Sequence, residues 1–142
     1  MTRADLEAFV TRHVEAFRQR DPAALASHHA LNGVIVSPIF STKRGRPAIE
    51  DSYRDLFTVF PDWTYTVEDF VVDPPRLALL FKVSATHRSD FLGLPGTGKR
   101  IEFSGMQSME FEDGLVALDR RIYDFTAVLV ELGILRAMRA KP

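Results

Sequence analysis

The chain is predicted to fold as one α+β domain, with a strongly curved antiparallel sheet wrapped over N-terminal helices to enclose a cone-shaped pocket. Three observations predict it. Apolar residues recur at helical spacing through the N-terminal part, the period changes to two from Trp63, and one helical segment closes the chain.

Taken in order, Leu6, Phe9, Val10, His13, Val14 and Phe17 make 4–19 an amphipathic helix. Asp21-Pro22 starts a short helix through Leu25, with Asp as N-cap and Pro in the first turn. Gly33–Pro38 reads as a short strand and Ser41–Arg46 as a polar loop. Pro47 opens a helix with Ile49, Tyr53, Leu56, Phe57 and Phe60 on one face, ended by Pro61. Trp63-Thr64-Tyr65-Thr66-Val67 begins a strand that Asp73-Pro74-Pro75 breaks. Leu77 to about Asp90, Ile101–Phe111 and Leu115–Tyr123 follow as strands, the last two joined by a tight Glu112-Asp113-Gly114 hairpin. Asp124 caps a final helix expected from Phe125 to about Arg139, burying Leu129, Leu132 and Leu135.

The bulk numbers bound the function. With 142 residues, 46% hydrophobic and 26% charged, the chain is one globular domain, 1–142, with its own core. A net charge of -1 supplies no basic face for nucleic acid. Having no cysteine, it has neither disulfides nor a thiolate metal site or nucleophile. The segment Met1–Glu7 mixes charges and does not read as a signal peptide, and no apolar run has transmembrane length. A cytoplasmic protein without a membrane partner is expected. The Gly93–Gly98 turn lacks the Gly-Lys-Ser/Thr ending of a phosphate loop, so nucleotide binding is not expected.

Several motifs occur in a fixed order: Phe60-Pro61-Asp62, then His87, then Asp90-Phe91-Leu92-Gly93-Leu94-Pro95-Gly96-Thr97-Gly98-Lys99, Phe111-Glu112-Asp113-Gly114, Asp124 and Leu132-Gly133. Over nearly the whole chain this set resembles the SnoaL-like polyketide cyclases of the nuclear-transport-factor-2-like superfamily. The resemblance implies a cone-shaped barrel, a homodimer through the outer sheet face, and cofactor-free chemistry on a hydrophobic small molecule. In such cyclases a carboxylate removes a proton from carbon beside carbonyls, donors hold the enolate, and an aldol step closes a ring. Two positions depart from the family: Arg121 stands where its catalytic Asp falls, and Gln107 where it has a His. An Arg cannot act as a general base near neutral pH.

Strand parity then selects candidates. Ala117, Asp119, Arg121 and Tyr123 share a face, so Asp119 can serve as a displaced base or as a structural partner of Arg121. Arg121 and Gln107 can hold an oxyanion, or Gln107 can be a buried amide bonded to a neighbour such as Tyr123. His87 ends an apolar strip and is the alternative base or a satisfied core residue. Phe17, Trp63, Tyr65, Phe91, Met106 and Met109 are core residues that can also wall a pocket, and His13 on the apolar face of the first helix can point into it. His28 and His29 are expected as near-surface helix-end residues without a third metal ligand. Arg88 and Asp90 resemble the Arg-x-Asp of limonene epoxide hydrolase, or form a rim ion pair; that relative's second Asp and its water-binding Tyr and Asn fall on Arg121, Ile35 and Ser37.

The expected activity is thus a cofactor-independent proton transfer on a carbonyl-bearing hydrophobic ligand. A non-catalytic ligand-binding or dimeric accessory domain is the alternative, and epoxide hydrolysis the third. No metal or cofactor is called for.

Overall fold

The alternation along Arg100–Glu112 governs the architecture: every second residue is buried over the whole strand, so one face of the sheet carries the core. In a computed structural model, residues 1–136 are described. The elements are α1 (Arg3–Gln19), α2 (Pro22–Ser27), β1 (His29–Val36), β2 (Lys43–Arg44), α3 (Arg46–Val59), β3 (Thr64–Asp73), β4 (Arg76–Thr86), β5 (Arg100–Glu112), β6 (Leu115–Tyr123) and α4 (Phe125–Glu131). They build one six-stranded sheet in the order β2-β1-β6-β5-β4-β3. Its inner face packs on α1 and α3, with Leu6, Phe9, Ile49, Tyr53, Leu77, Leu79 and Met109 among the buried side chains.

Local chemistry explains most boundaries. Thr2 and Asp5 form a capping box on α1, and Asp21 and Asp124 each accept a backbone N–H at the start of α2 and α4. Asp113 and Gly114 both adopt positive φ, 51° and 77°, as a two-residue hairpin between twisted strands requires. Gly105 serves space instead: a Cβ there would lie 2.5 Å from the Phe81 ring and 2.8 Å from the Tyr123 Cβ.

Four expectations change. The sheet is not purely antiparallel, because β1 pairs with β6 in parallel; α3 and the β3–β5 meander provide the long crossover that such a pair needs. The polar loop contains β2, whose Lys43 pairs with Ile35. Strand β4 stops at Thr86 rather than Asp90, since the His87 backbone bonds Lys99 and Gly98 and so closes the Arg88–Lys99 turn. Helix α4 ends at Glu131, before Gly133 at φ 79°. Leu132 is buried as expected, whereas Leu135 is exposed and Leu129 half-buried; residues 137–139 of that expected helix lie outside the described residues.

Candidate functional site

Strand β6 turns Asp119, Arg121 and Tyr123 toward the concave face, as parity predicts. A bulge between the Glu110 and Phe111 pairings lets Val116 point inward as well, against strict alternation. Gln107 sits directly across from Arg121, and Met109 from Asp119.

These neighbours form a closed chain of hydrogen bonds. Gln107 Nε2 donates to both Asp119 oxygens, at 3.0 and 2.8 Å, and Gln107 Oε1 accepts from the Tyr65 hydroxyl at 3.0 Å. Arg121 Nε and Nη2 donate to Asp119 Oδ2 at 3.3 and 2.9 Å, and Nη2 also donates to the Tyr53 hydroxyl at 2.7 Å. The guanidinium lies 5.5 Å from the Tyr53 ring centre. Burial opposes its charge, but Asp119 and Tyr53 outweigh that and hold Arg121 above the ordinary arginine pKa. Burial raises Tyr53 and Tyr65 above ordinary phenols, so both stay neutral. Asp119 is 0% exposed, whereas the Arg121 side chain keeps 19%. Among the described residues, Arg121 Nη1 donates to nothing.

Arg121 lines a hollow of two lobes, about 80 Å³ and about 140 Å³, which also share Ser37, Phe40, Leu56, Phe60 and Phe91. The first lobe is apolar and aromatic, with Phe17, Trp63, Tyr65, Phe81, Phe103 and Phe125 on its walls. Residues of that lobe that carry polar groups besides Arg121 are Gln107, Tyr65, Trp63 and a Ser37–Tyr123 hydroxyl pair 2.8 Å apart. The second lobe adds Ser41, Lys43, Ser52, Tyr53 and Asp55.

The SnoaL-like polyketide cyclase family model matches residues 7–132. The chain belongs to that family. Its fold is shared with AclR of Streptomyces galilaeus, described as a hydroxylase candidate, at TM-score 0.85 and 24% identity over 97% of this chain and 91% of that one. It is also shared with TsrD of Streptomyces laurentii, at TM-score 0.84 and 22% identity over 95% and 99% of the two chains. IdmH of Streptomyces antibioticus, described as a polyketide cyclase candidate, gives TM-score 0.74 and 24% identity over 89% and 97%. Among curated proteins, no sequence matches.

In this SnoaL-like protein the structure brings together Arg121, Gln107, Tyr123, Phe17 and Trp63 on the first lobe. It leaves the other candidates off the hollow. Asp119 is sealed behind Gln107 and Arg121 and reaches no ligand directly. His87 is buried beneath the Arg88–Lys99 turn, where its Nδ1 accepts from the Thr97 N–H at 3.2 Å and lies 3.0 Å from the Thr97 hydroxyl. That acceptor role places its proton on Nε2, which is buried without a partner beside Phe60 and Phe91. His87 therefore pins a turn rather than facing the cavity. Arg88 and Asp90 are exposed on that turn because β4 has already ended, and they line neither lobe. Met109 is wholly core, Tyr65 and Phe91 line the first lobe, and Met106, expected as a core residue, lies on the outer face of β5 at 56% exposure.

His13 is buried in α1 and faces His28, Nδ1 to Nδ1 at 3.1 Å, rather than the hollow. His28 and His29 are not near-surface helix-end residues: His28 is half-buried, and His29 starts β1 at 0% exposure. Among the described residues no group of three or more His, Cys, Asp or Glu is placed to hold a metal ion. No described helix is long and apolar enough to cross a membrane.

The sequence reading did not single out Tyr53, Tyr65 and Lys43 as polar members of the site. Tyr53 and Tyr65 carry the periods of a helix face and a strand, which mark them as core. Lys43 sits in a two-residue strand, too short to show a period.

Proposed function

We propose that this protein binds a hydrophobic, carbonyl-bearing small molecule in the apolar lobe, with Arg121 Nη1 donating to the carbonyl oxygen. The supporting observation is that Arg121, fixed by Asp119 and Tyr53 through Nε and Nη2, lines a mostly aromatic lobe. Negative charge growing on that oxygen during enolisation is stabilised by the same donor. The proton leaves the adjacent carbon for water, the C–H electron pair becomes a C=C bond, and the carbonyl π pair moves onto the oxygen. Gln107 is already committed to Asp119 and Tyr65, so it acts by positioning rather than as an oxyanion donor. The cyclase and hydroxylase descriptions of the related folds agree with an oxygenated ring substrate.

The non-catalytic reading gains from one observation, the closure of Asp119 behind its partners, which removes the base expected on β6. The exposure of Arg88 and Asp90 gives epoxide hydrolysis no support.

Trp63 is the single tryptophan and lines the lobe, so its fluorescence reports occupancy. Titration with 1-tetralone, a bicyclic ketone, is expected to quench it at about tenfold lower concentration than tetralin, the same rings without oxygen. Equal affinities would remove the carbonyl contact. Deuterium exchange at the carbon beside the tetralone carbonyl, followed by NMR, separates the two functional readings. Exchange faster than in buffer marks a proton-transfer enzyme; binding without exchange marks a ligand carrier.

We further propose a homodimer through the outer sheet face. There Met106 and Ile122 are cross-strand neighbours, 56% and 74% exposed. Light scattering is expected to give twice the chain mass, falling to one chain mass in Ile122→Lys.

A further inference from the structure

The second lobe differs from the first in what it offers a ligand. Lys43 belongs to an edge strand and would normally face water, yet it pairs with Ile35, which is 3% exposed on the concave side. Antiparallel partners share a face, so Lys43 is turned inward and half-buried, and it lines the lobe together with Arg121. Like Asp119 and Arg121 on β6, Lys43 is a charged residue on the otherwise apolar inner face, and such departures concentrate at binding sites. Its ammonium has only the Ser41 hydroxyl, at 3.4 Å. Among the described residues it forms no ion pair. Arg121 is already neutralised by Asp119, and Asp55 stands exposed at the rim, where water screens it. The unbalanced charge inside this lobe is therefore that of Lys43.

We infer that the second lobe is an anion subsite, and that the ligand of this protein carries a carboxylate arm which Lys43 holds while the ring system fills the aromatic lobe. This inference rests on the reading of the hollow as a ligand site and narrows the ligand class to ring ketones bearing a short acidic side chain. The two lobes meet at Arg121, so the ring carbonyl and the arm project from neighbouring positions on the ligand. A full carboxylate suits Lys43 better than Arg121. Near the guanidinium it would meet a charge already spent on Asp119, and the like charge of Asp119 behind it.

The probes are 1-tetralone, its derivative with a propanoate arm on the carbon beside the carbonyl, and the methyl ester of that derivative. Each is titrated against the full chain by Trp63 quenching. The propanoate is expected to bind about tenfold more tightly than its ester, as a charge-assisted hydrogen bond allows. Lys43→Met should erase that preference, read as the ratio of propanoate to ester affinity within the variant, and Lys43→Arg should keep most of it. No preference in the wild type, or a preference that survives Lys43→Met, overturns the inference. If 1-tetralone binds and the arm changes nothing, only the subsite falls. If none of the three binds, the reading of the hollow as a ligand site falls, and the subsite with it.

Discussion

Two polar clusters lie buried under the same sheet, and they are built on opposite terms. In the first, Tyr65, Gln107, Asp119, Arg121 and Tyr53 satisfy one another in an unbroken chain that, among the described residues, leaves Arg121 Nη1 unbonded in a residue that lines the hollow. In the second, His13, His28 and His29 share one hydrogen-bond contact, and the His13 Nε2 and both His29 ring nitrogens have no partner among the described residues. The first cluster turns a buried charge into a fixed tool. The second places neutral imidazoles where they are not expected to take protons without cost. Burial of ionisable groups thus yields rigidity where every group is bonded, and acid sensitivity where it is not.

The largest effect that would break this contrast lies in the bonded cluster. Asp119→Ala strands the Arg121 charge, and about 3–5 kcal/mol of stability is expected to vanish in urea unfolding. Replacing the pair together, Asp119→Leu with Arg121→Met, should restore most of it, since apolar residues of similar volume pack well in place of an ion pair. A single variant as stable as wild type would show that the network holds no charge in place.

The next effect belongs to the histidines. Burial, opposed by Asp119 and reinforced by Arg121, His28 and Arg46, lowers His29 from 6.5 to about 4. Burial and then the His28, His29 and Arg121 charges push His13 well below its ordinary value. Both groups bind protons more readily in the unfolded chain. Stability is therefore full above pH 6.5, falls as pH drops through the window between 6.5 and about 4, and levels off below the folded value. For His29 alone, about 2 kcal/mol should disappear between pH 7 and pH 5. Thermal melts across that range, repeated on His29→Phe, should show a shallower slope in the variant; identical slopes would clear His29 of the effect.

A smaller change sharpens the comparison within the bonded chain. Tyr65→Phe leaves Gln107 Oε1 without its donor, and about 1 kcal/mol is expected to be lost in the same unfolding assay. The exposed Glu15–Arg18 pair on α1 is the control: Glu15→Gln should leave the melting temperature unchanged.

Much of this was legible in the sequence, for identifiable reasons. The long alternation of β5 fixed its inner face, and parity along β6 correctly turned Asp119 and Arg121 inward. The closure of Asp119 was not legible, because it depends on the register that sets Gln107 opposite Arg121 and on Tyr65 arriving from a strand 42 residues earlier. Nor was the inward turn of Lys43, set by pairing with β1 rather than by any pattern of its own. His87 was read as a cavity residue because strand parity was continued past Thr86, where the chain already turns. The stop of α4 could have been read from Gly133, whose positive φ ends a helix; the apolar Leu135 beyond it suggested otherwise.

The central claim is that Arg121 presents a held guanidinium edge to a ligand carbonyl. Its most direct test is the Trp63 quenching affinity for 1-tetralone relative to tetralin in the Asp119→Leu, Arg121→Met double variant, with the fold verified by circular dichroism. The account predicts that the roughly tenfold preference for the ketone collapses to parity. A folded double variant that still prefers the ketone as strongly as wild type would contradict it.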